Sequence, residues 1–156
     1  MAIELEVVVG EDLEYHFLKE GIKKHQIDGL LHDVYGMELR SGDFFELEPD
    51  AKLAIGTTWM IGKPKGGWGV ALDRIQLTDI LGNPTESVVV ISVGMSRTNV
   101  EFLVAAIIAT EIASANGKTI RDDARYWLID GWISAVAMER SILKFGLKIK
   151  HMLPLS

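Results

Sequence analysis

The stretch from Thr98 to Trp127, TNVEFLVAAIIATEIASANGKTIRDDARYW, constrains the fold most, because both ends of one helix are written into it. Thr98 followed three residues later by Glu101 is a capping box, in which the hydroxyl accepts from a free helical N–H and the glutamate reaches back to the cap. Val100, Leu103, Val104, Ile107, Ile108 and Ile112 fall on one helical face, and Asn116-Gly117 supplies the left-handed residue that stops the helix. The next residues, KTIRDDARYW, read as a strand, or a strand and turn, carrying the adjacent carboxylates Asp122 and Asp123. Neighbours along a strand point to opposite faces, so these two cannot share a proton or a metal. Flanked by Arg121 and Arg125, they read as a solvated strand end and not as an acid/base pair.

The other elements follow from hydrophobic period. Ile3, Leu5 and Val7 alternate with Glu4 and Glu6 as a strand with one buried face, closed by Gly10. Leu13, Phe17, Leu18 and Ile22 predict an amphipathic helix from Asp12 to about Gln26 with acids in its first turn. Leu30, Leu31, Val34 and Tyr35 make a second short helical stripe. FFELE, KLAIGTTWMIG and WGVALDRIQL read as strands, GKPKGGWG as the loop of a hairpin, and ILGNPTES as a turn leading into VVVISVG, a strand apolar on both faces. A last helix, capped by Asp130, is expected to bury Trp132, Ile133, Val136, Ala137 and Met138. The order of elements predicts a single α+β domain over residues 1–156, a largely antiparallel sheet packed against two to three helices.

Composition narrows the functional classes. The 156 residues contain no cysteine, which excludes a disulfide framework, a thiol nucleophile and thiolate metal ligation. The acidic N-terminus lacks the pattern of a signal peptide, and no stretch free of charge and strong breaks reaches the roughly 18 residues of a membrane span. A cytoplasmic protein without membrane contact is expected. The net charge of −6 is unevenly spread: residues 1–50 hold 13 acids against four bases, a net −9, and the remainder nine acids against 12 bases, a net +3. Such a field attracts a cationic partner and repels nucleic acid.

No motif for chemistry emerges. His16, His25, His32 and His151 lack the i, i+4 spacing with an intervening glutamate of a helical zinc site and read as surface or capping residues, so no metal and no cofactor is expected. GKPKGGWG lacks the Walker pattern and leads into a strand instead of a helix. No serine stands in a Gly-x-Ser-x-Gly elbow. Among the tryptophans, Trp132 and Trp127 are expected in the core, whereas Trp59 and Trp68 flank the hairpin as candidates for an interface. The segment MELRSGDFFELEPD gathers Glu38, Asp43, Glu46, Glu48 and Asp50. It reads either as an edge strand protected by charge or as an acidic docking face, where complementary charge speeds encounter and selects the partner.

The run VVVISVGMSRTNVEFLVAAIIATEIASANGKTIRDDARYW resembles a pattern in bacterial immunity proteins of polymorphic toxin systems, of the contact-dependent inhibition or type VI secretion kind. These share an apolar strand, an Ala-rich helix, a glycine, and a short x-I-x-D-D strand ending in an aromatic. The resemblance implies a scaffold with no catalytic residues and a non-enzymatic inhibitor of a cognate toxin, here a basic, nuclease-like one. The expected contact is Glu38, Asp43, Glu46, Glu48, Asp50, Trp59 and Trp68. The alternative is a small-molecule-binding protein or enzyme with a pocket between the sheet and the late helices. A third reading is a homo-oligomeric structural subunit, such as a homodimer, that uses the apolar last helix.

Overall fold

The computed structural model describes residues 3–25, 38–41, 50–63, 68–93, 98–125, 128 and 130–145. In chain order the elements are β1 (Ile3–Val8), β2 (Leu13–Glu14), α1 (Tyr15–Lys24), β3 (Glu38–Ser41), β4 (Lys52–Leu53), β5 (Thr58–Lys63) and β6 (Trp68–Thr78). Then follow β7 (Pro84–Val93), α2 (Asn99–Asn116), β8 (Ile120–Arg121), β9 (Trp132–Ile133) and α3 (Ala135–Phe145). The fold is α+β. Seven strands form one sheet in the order β3-β5-β6-β7-β1-β8-β9, and β2 pairs with β4 beside it. Every neighbouring pair is antiparallel.

Register explains why one face of the sheet is the core. Ile3 opposes Val93, which opposes Val70, which opposes Ile61; Leu5, Ile91, Leu72 and Trp59 make the next row. A third row runs Ile133, Ile120, Val7, Val89 and ends on Arg74. A period of two puts all of these side chains on the same face, and all are buried. The alternation predicted for β1 is present, and β7 is buried on both faces from Val88 to Ile91. Lys63 opposes Trp68, so β5 and β6 form the expected hairpin and its loop leads into a strand.

Helix α2 covers this face and carries both predicted ends. Thr98 Oγ1 accepts from Glu101 N–H at 3.2 Å, and Glu101 Oε1 accepts from Thr98 N–H at 3.0 Å. Gly117 stops the helix at φ 62°, in the left-handed region. Burial is wider than a single stripe: the thirteen residues from Glu101 to Ala113 are all buried, as befits a helix that is apolar nearly all round. By length and composition alone α2 is sufficient to cross a bilayer although Glu101 and Glu111 interrupt its apolar run, but here it packs against α1, α3 and the sheet.

Four expectations are corrected. Helix α1 starts at Tyr15 and not at Asp12, because Leu13 and Glu14 are drawn into pairing with β4, and its first turn holds no acid. The last helix starts at Ala135, with Ser134 Oγ accepting from Ala137 N–H at 3.1 Å in the capping position assigned to Asp130. Trp132 and Ile133 lie in β9, so alternation sends Ile133 inward and leaves Trp132 50 % exposed; Val136 is likewise exposed. Asp122 is no solvated strand end: β8 stops at Arg121, and the buried Asp122 carboxylate accepts from Leu128 N–H at 2.9 Å. Its own N–H donates to Gly131 O at 2.8 Å, so Asp122 organises the turn between β8 and β9. Asp123 beside it is exposed. The helical stripe at Leu30–Tyr35 and the strand FFELE lie outside the described residues.

The β6–β7 turn is closed by the Asp79 side chain and by its backbone, with Asp79 N–H donating to Asn83 O and Gly82 N–H to Asp79 O. Asp79 Oδ1 accepts from the N–H groups of Leu81 and Asn83, both at 2.9 Å, and Gly82 adopts φ 84°. The bond from Asn83, with those from Leu81 and Gly82, holds the Asp79 carboxyl below its usual range.

Candidate functional site, an acidic cleft at the end of the central helix

Where β1 runs out, the chain turns through Gly10, Glu11 and Asp12 before entering β2 and α1. This turn is built on Arg74, which is 3 % exposed. Its guanidinium makes five hydrogen bonds: Nη1 to Glu11 O (3.0 Å), Asp12 Oδ1 (3.2 Å) and Leu53 O (3.2 Å), and Nη2 to Val9 O (3.3 Å) and Ser87 Oγ (3.0 Å). Only one of the five acceptors is a carboxylate, so the cation is solvated mainly by backbone carbonyls and a hydroxyl. Arg74 thus ties β6 to the ends of β1, β4 and β7 and presents Glu11 and Asp12 outward. Tyr15 N–H donates to Ala51 O at 2.9 Å, which fixes the start of α1 beside them.

The result is a shallow cleft of about 260 Å³ lined by Glu11, Asp12, Leu13, Glu14, Phe17, Ala115 and Asn116. Three exposed carboxylate residues meet the C-terminal end of α2 there, and a helix C-terminus carries partial negative charge. Phe17 adds an aromatic wall. The cleft is smaller than the roughly 300–1,000 Å³ typical of small-molecule pockets. Its size and sign suit one lysine or arginine side chain, which an aromatic face also favours.

One turn further along the α1–α2 contact lies a buried polar node. His25 Nε2 and Glu111 Oε1 are 2.5 Å apart and both residues are buried; Lys24 Nζ reaches the same oxygen at 3.0 Å from the solvent side. Gly21 makes this possible, because a Cβ there would stand 2.9 Å from Glu111 Cγ and 3.0 Å from Oε2. His25 is the C-cap of α1, its N–H donating to Ile22 O. It is therefore a capping residue as expected, but not a surface one. Enclosed in this way, the pair clamps α1 to α2 and offers no open position for a substrate. Among the described residues no three histidine or acidic side chains converge as metal ligands.

On the opposite face of the sheet Arg121 bridges two strands, with Nη1 at 2.7 Å from Glu86 and Nη2 at 3.2 Å from Glu6. Burial raises the Glu6 carboxyl above its usual range, aided by Asp123 and opposed by Arg121. The folded state therefore holds this proton more tightly than the unfolded chain. Its contribution to stability is full below the ordinary glutamate value of about 4.3 and is lost as pH rises through the folded value. As pH rises above the ordinary glutamate value of about 4.3, the urea midpoint of the wild type is expected to fall relative to that of Glu6→Gln; parallel pH profiles would contradict this.

The residues singled out from sequence divide sharply. Trp59 is 1 % exposed, packed edge-on to Tyr15 with ring centroids 6.4 Å apart, so it is a core residue and cannot contact a partner. Its position explains this: it opposes Leu72 on the core face. Trp68 begins β6, and Glu38 lies in β3, the edge strand of the sheet. Asp50 is exposed next to β4. Asp43, Glu46 and Glu48 lie outside the described residues, as do Trp127, His32 and His151. Sequence reading missed Arg74, the His25–Glu111 pair and the cleft; Glu11, Asp12 and Glu14 counted toward the acidic total, and Asp12 and Glu14 as first-turn acids of a helix, but not as a site. Compared with known proteins, the chain matches no family model, no curated protein and no solved structure.

Proposed function

We propose that this protein is a non-enzymatic inhibitor of the immunity type, binding a basic protein partner through the acidic surface of its N-terminal third. The observation that carries the reading is the cleft in which Glu11, Asp12 and Glu14 face the negative end of α2. It is an open, anionic receptor of side-chain size on the part of the chain with net charge −9. Glu38, Asp43, Glu46, Glu48, Asp50 and Trp68 are the further contacts proposed from sequence. Glu38 and Trp68 lie beside Gly62 and Gly69, and Gly69 N–H meets Glu101 in the first turn of α2, so these two would touch the partner away from the cleft. A toxin that acts on nucleic acid carries the basic surface such a face would cover, and complementary charge would speed capture and reject acidic competitors. The cytoplasm is the compartment in which such an inhibitor would act. The alternative of a small-molecule protein or enzyme would place its ligand between the sheet and the late helices, away from this cleft.

Affinity capture with the purified protein from lysate of its source cells, eluted by a salt gradient, tests the proposal. The expected product is one basic, stoichiometric protein released by salt. Against that partner, Glu11→Lys with Glu14→Lys, and separately reversal of Asp43, Glu46 and Glu48, should each slow association at low salt by about tenfold or more and flatten its salt dependence. Association as fast as wild type in both variants would refute the acidic-face reading.

A further inference from the structure

Helix α3 is amphipathic on one side only. Met138, Ser141 and Ile142 are buried toward the core, and the outward face should then be polar. Instead Val136 is 60 % and Leu143 64 % exposed, one heptad apart, with Glu139 and Arg140 between them. Positions 136, 139, 140 and 143 have the i, i+3, i+4, i+7 spacing of a single helical stripe. Trp132, four residues before Val136, stands exposed on β9, the terminal strand of the sheet. Single exposed aliphatic residues need no explanation. The order of these four does.

Read from either end, the stripe is apolar, charged, charged, apolar, with the charges of opposite sign. Two copies of α3 laid antiparallel about a two-fold axis between positions 139 and 140 place Val136 against Leu143 of the partner subunit and Glu139 against Arg140 of the partner subunit. Each contact occurs twice, as a closed isologous interface requires. A parallel pair would set Glu139 against its own copy and Arg140 against its own copy, which is unfavourable. Within their own chain, among the described residues, Glu139 and Arg140 take part in no ion pair, so both charges are free to pair across such an axis.

We infer that α3 is the contact of a symmetric antiparallel homodimer, with Trp132 at its margin. The eleven residues of α3 span only about 16 Å, which puts the contact at the small end of specific interfaces, below about 1,200 Å². The dimer therefore builds up with concentration across the micromolar range and leaves the acidic cleft, on α1 and the end of α2, clear.

Sedimentation equilibrium of the full chain from about 10 to about 500 μM tests this, with the weight-average mass expected to climb from 17.3 kDa toward twice that value. Leu143→Glu should abolish association while leaving the thermal unfolding of the dilute protein unchanged. Glu139→Arg and Arg140→Glu should each weaken the dimer by about tenfold, because each like-charge clash is met twice. The double variant, which swaps the charges and restores complementarity, should return to within about threefold of wild type. A monomer throughout the range, association indifferent to these substitutions, or a double variant no better than the singles would each overturn the inference.

Discussion

Replacing Arg74 with methionine is expected to lower the free energy of unfolding by about 2–4 kcal/mol, since backbone carbonyls lose a charged donor at about 1–3 kcal/mol apiece while the half-exposed Asp12 carboxylate is rehydrated. Methionine fills similar volume but donates nothing, so the carbonyls of Glu11 and Leu53 lose a buried donor and the Asp12 carboxylate loses its cation. Val9 O keeps the Ser87 hydroxyl as a donor, so the loss is concentrated on the turn that builds the cleft. Arg74→Lys should recover part of the stability and little of the geometry, since an ammonium cannot reach five acceptors on two nitrogens at once. Urea unfolding of the three proteins measures this. A loss below about 1 kcal/mol for Arg74→Met would mean that water or a rearranged turn replaces the guanidinium without cost. Chemical shifts of Glu11 to Phe17 should move in both variants, because the same bonds hold the acidic turn in place.

The Gly21→Ala substitution is expected to reverse sign with its background. In an isolated helix alanine is better than glycine by about 1 kcal/mol. Here the added methyl would lie 2.9–3.1 Å from three side-chain atoms of Glu111, a buried residue held by both His25 and Lys24. Glu111 cannot swing aside without breaking those bonds, so in the wild type Gly21→Ala should cost about 1–3 kcal/mol. Glu111→Ala alone should cost a similar 1–3 kcal/mol, since it leaves His25 buried without its partner. With Glu111 gone, the same Gly21→Ala change should stabilise by about 0.5–1 kcal/mol. A double-mutant cycle on urea unfolding therefore predicts coupling of about 1.5–4 kcal/mol. Additive effects would show that α1 does not press on Glu111 as closely as the structure places it.

What sequence reading recovered here is local. The capping box at Thr98 and Glu101, the left-handed Gly117, the alternation of Ile3, Leu5 and Val7 and the doubly buried β7 each depend on residues within one turn or one strand. The α+β class and antiparallel pairing followed from their order. What it missed depends on distance along the chain. Arg74 looks like one polar residue in the strand ALDRIQL, and its partners lie 13 to 65 residues away. His25 and Glu111 are 86 residues apart, and nothing near either announces the other. The cleft joins the start of α1 to the end of α2 and exists only once both helices are packed.

The tryptophans show a subtler failure. Residue type says that a large apolar ring favours burial, but the face it takes is decided by register. Trp59 shares its face with Ile61 and goes inward; Trp132 alternates with the buried Ile133 and goes outward. Assigning positions 132 and 133 to a helix hid that alternation, because a period near 3.6 would have put both on the buried stripe. A two-residue strand such as β9 is defined by its partner β8 and carries almost no signal of its own.

The proposed role depends most on whether the acidic cleft receives a basic group. The direct measurement is a titration of the isotope-labelled protein with a lysine-rich peptide, followed by amide chemical shifts at low salt and again at about 0.3 M salt, where the screening length is roughly 5–6 Å. Saturable shifts are expected at Glu11 to Phe17 and at Ala115 and Asn116, extending to Asp50 beside β4, and collapsing at the higher salt. Shifts confined to other surfaces, or none at low salt, would contradict it.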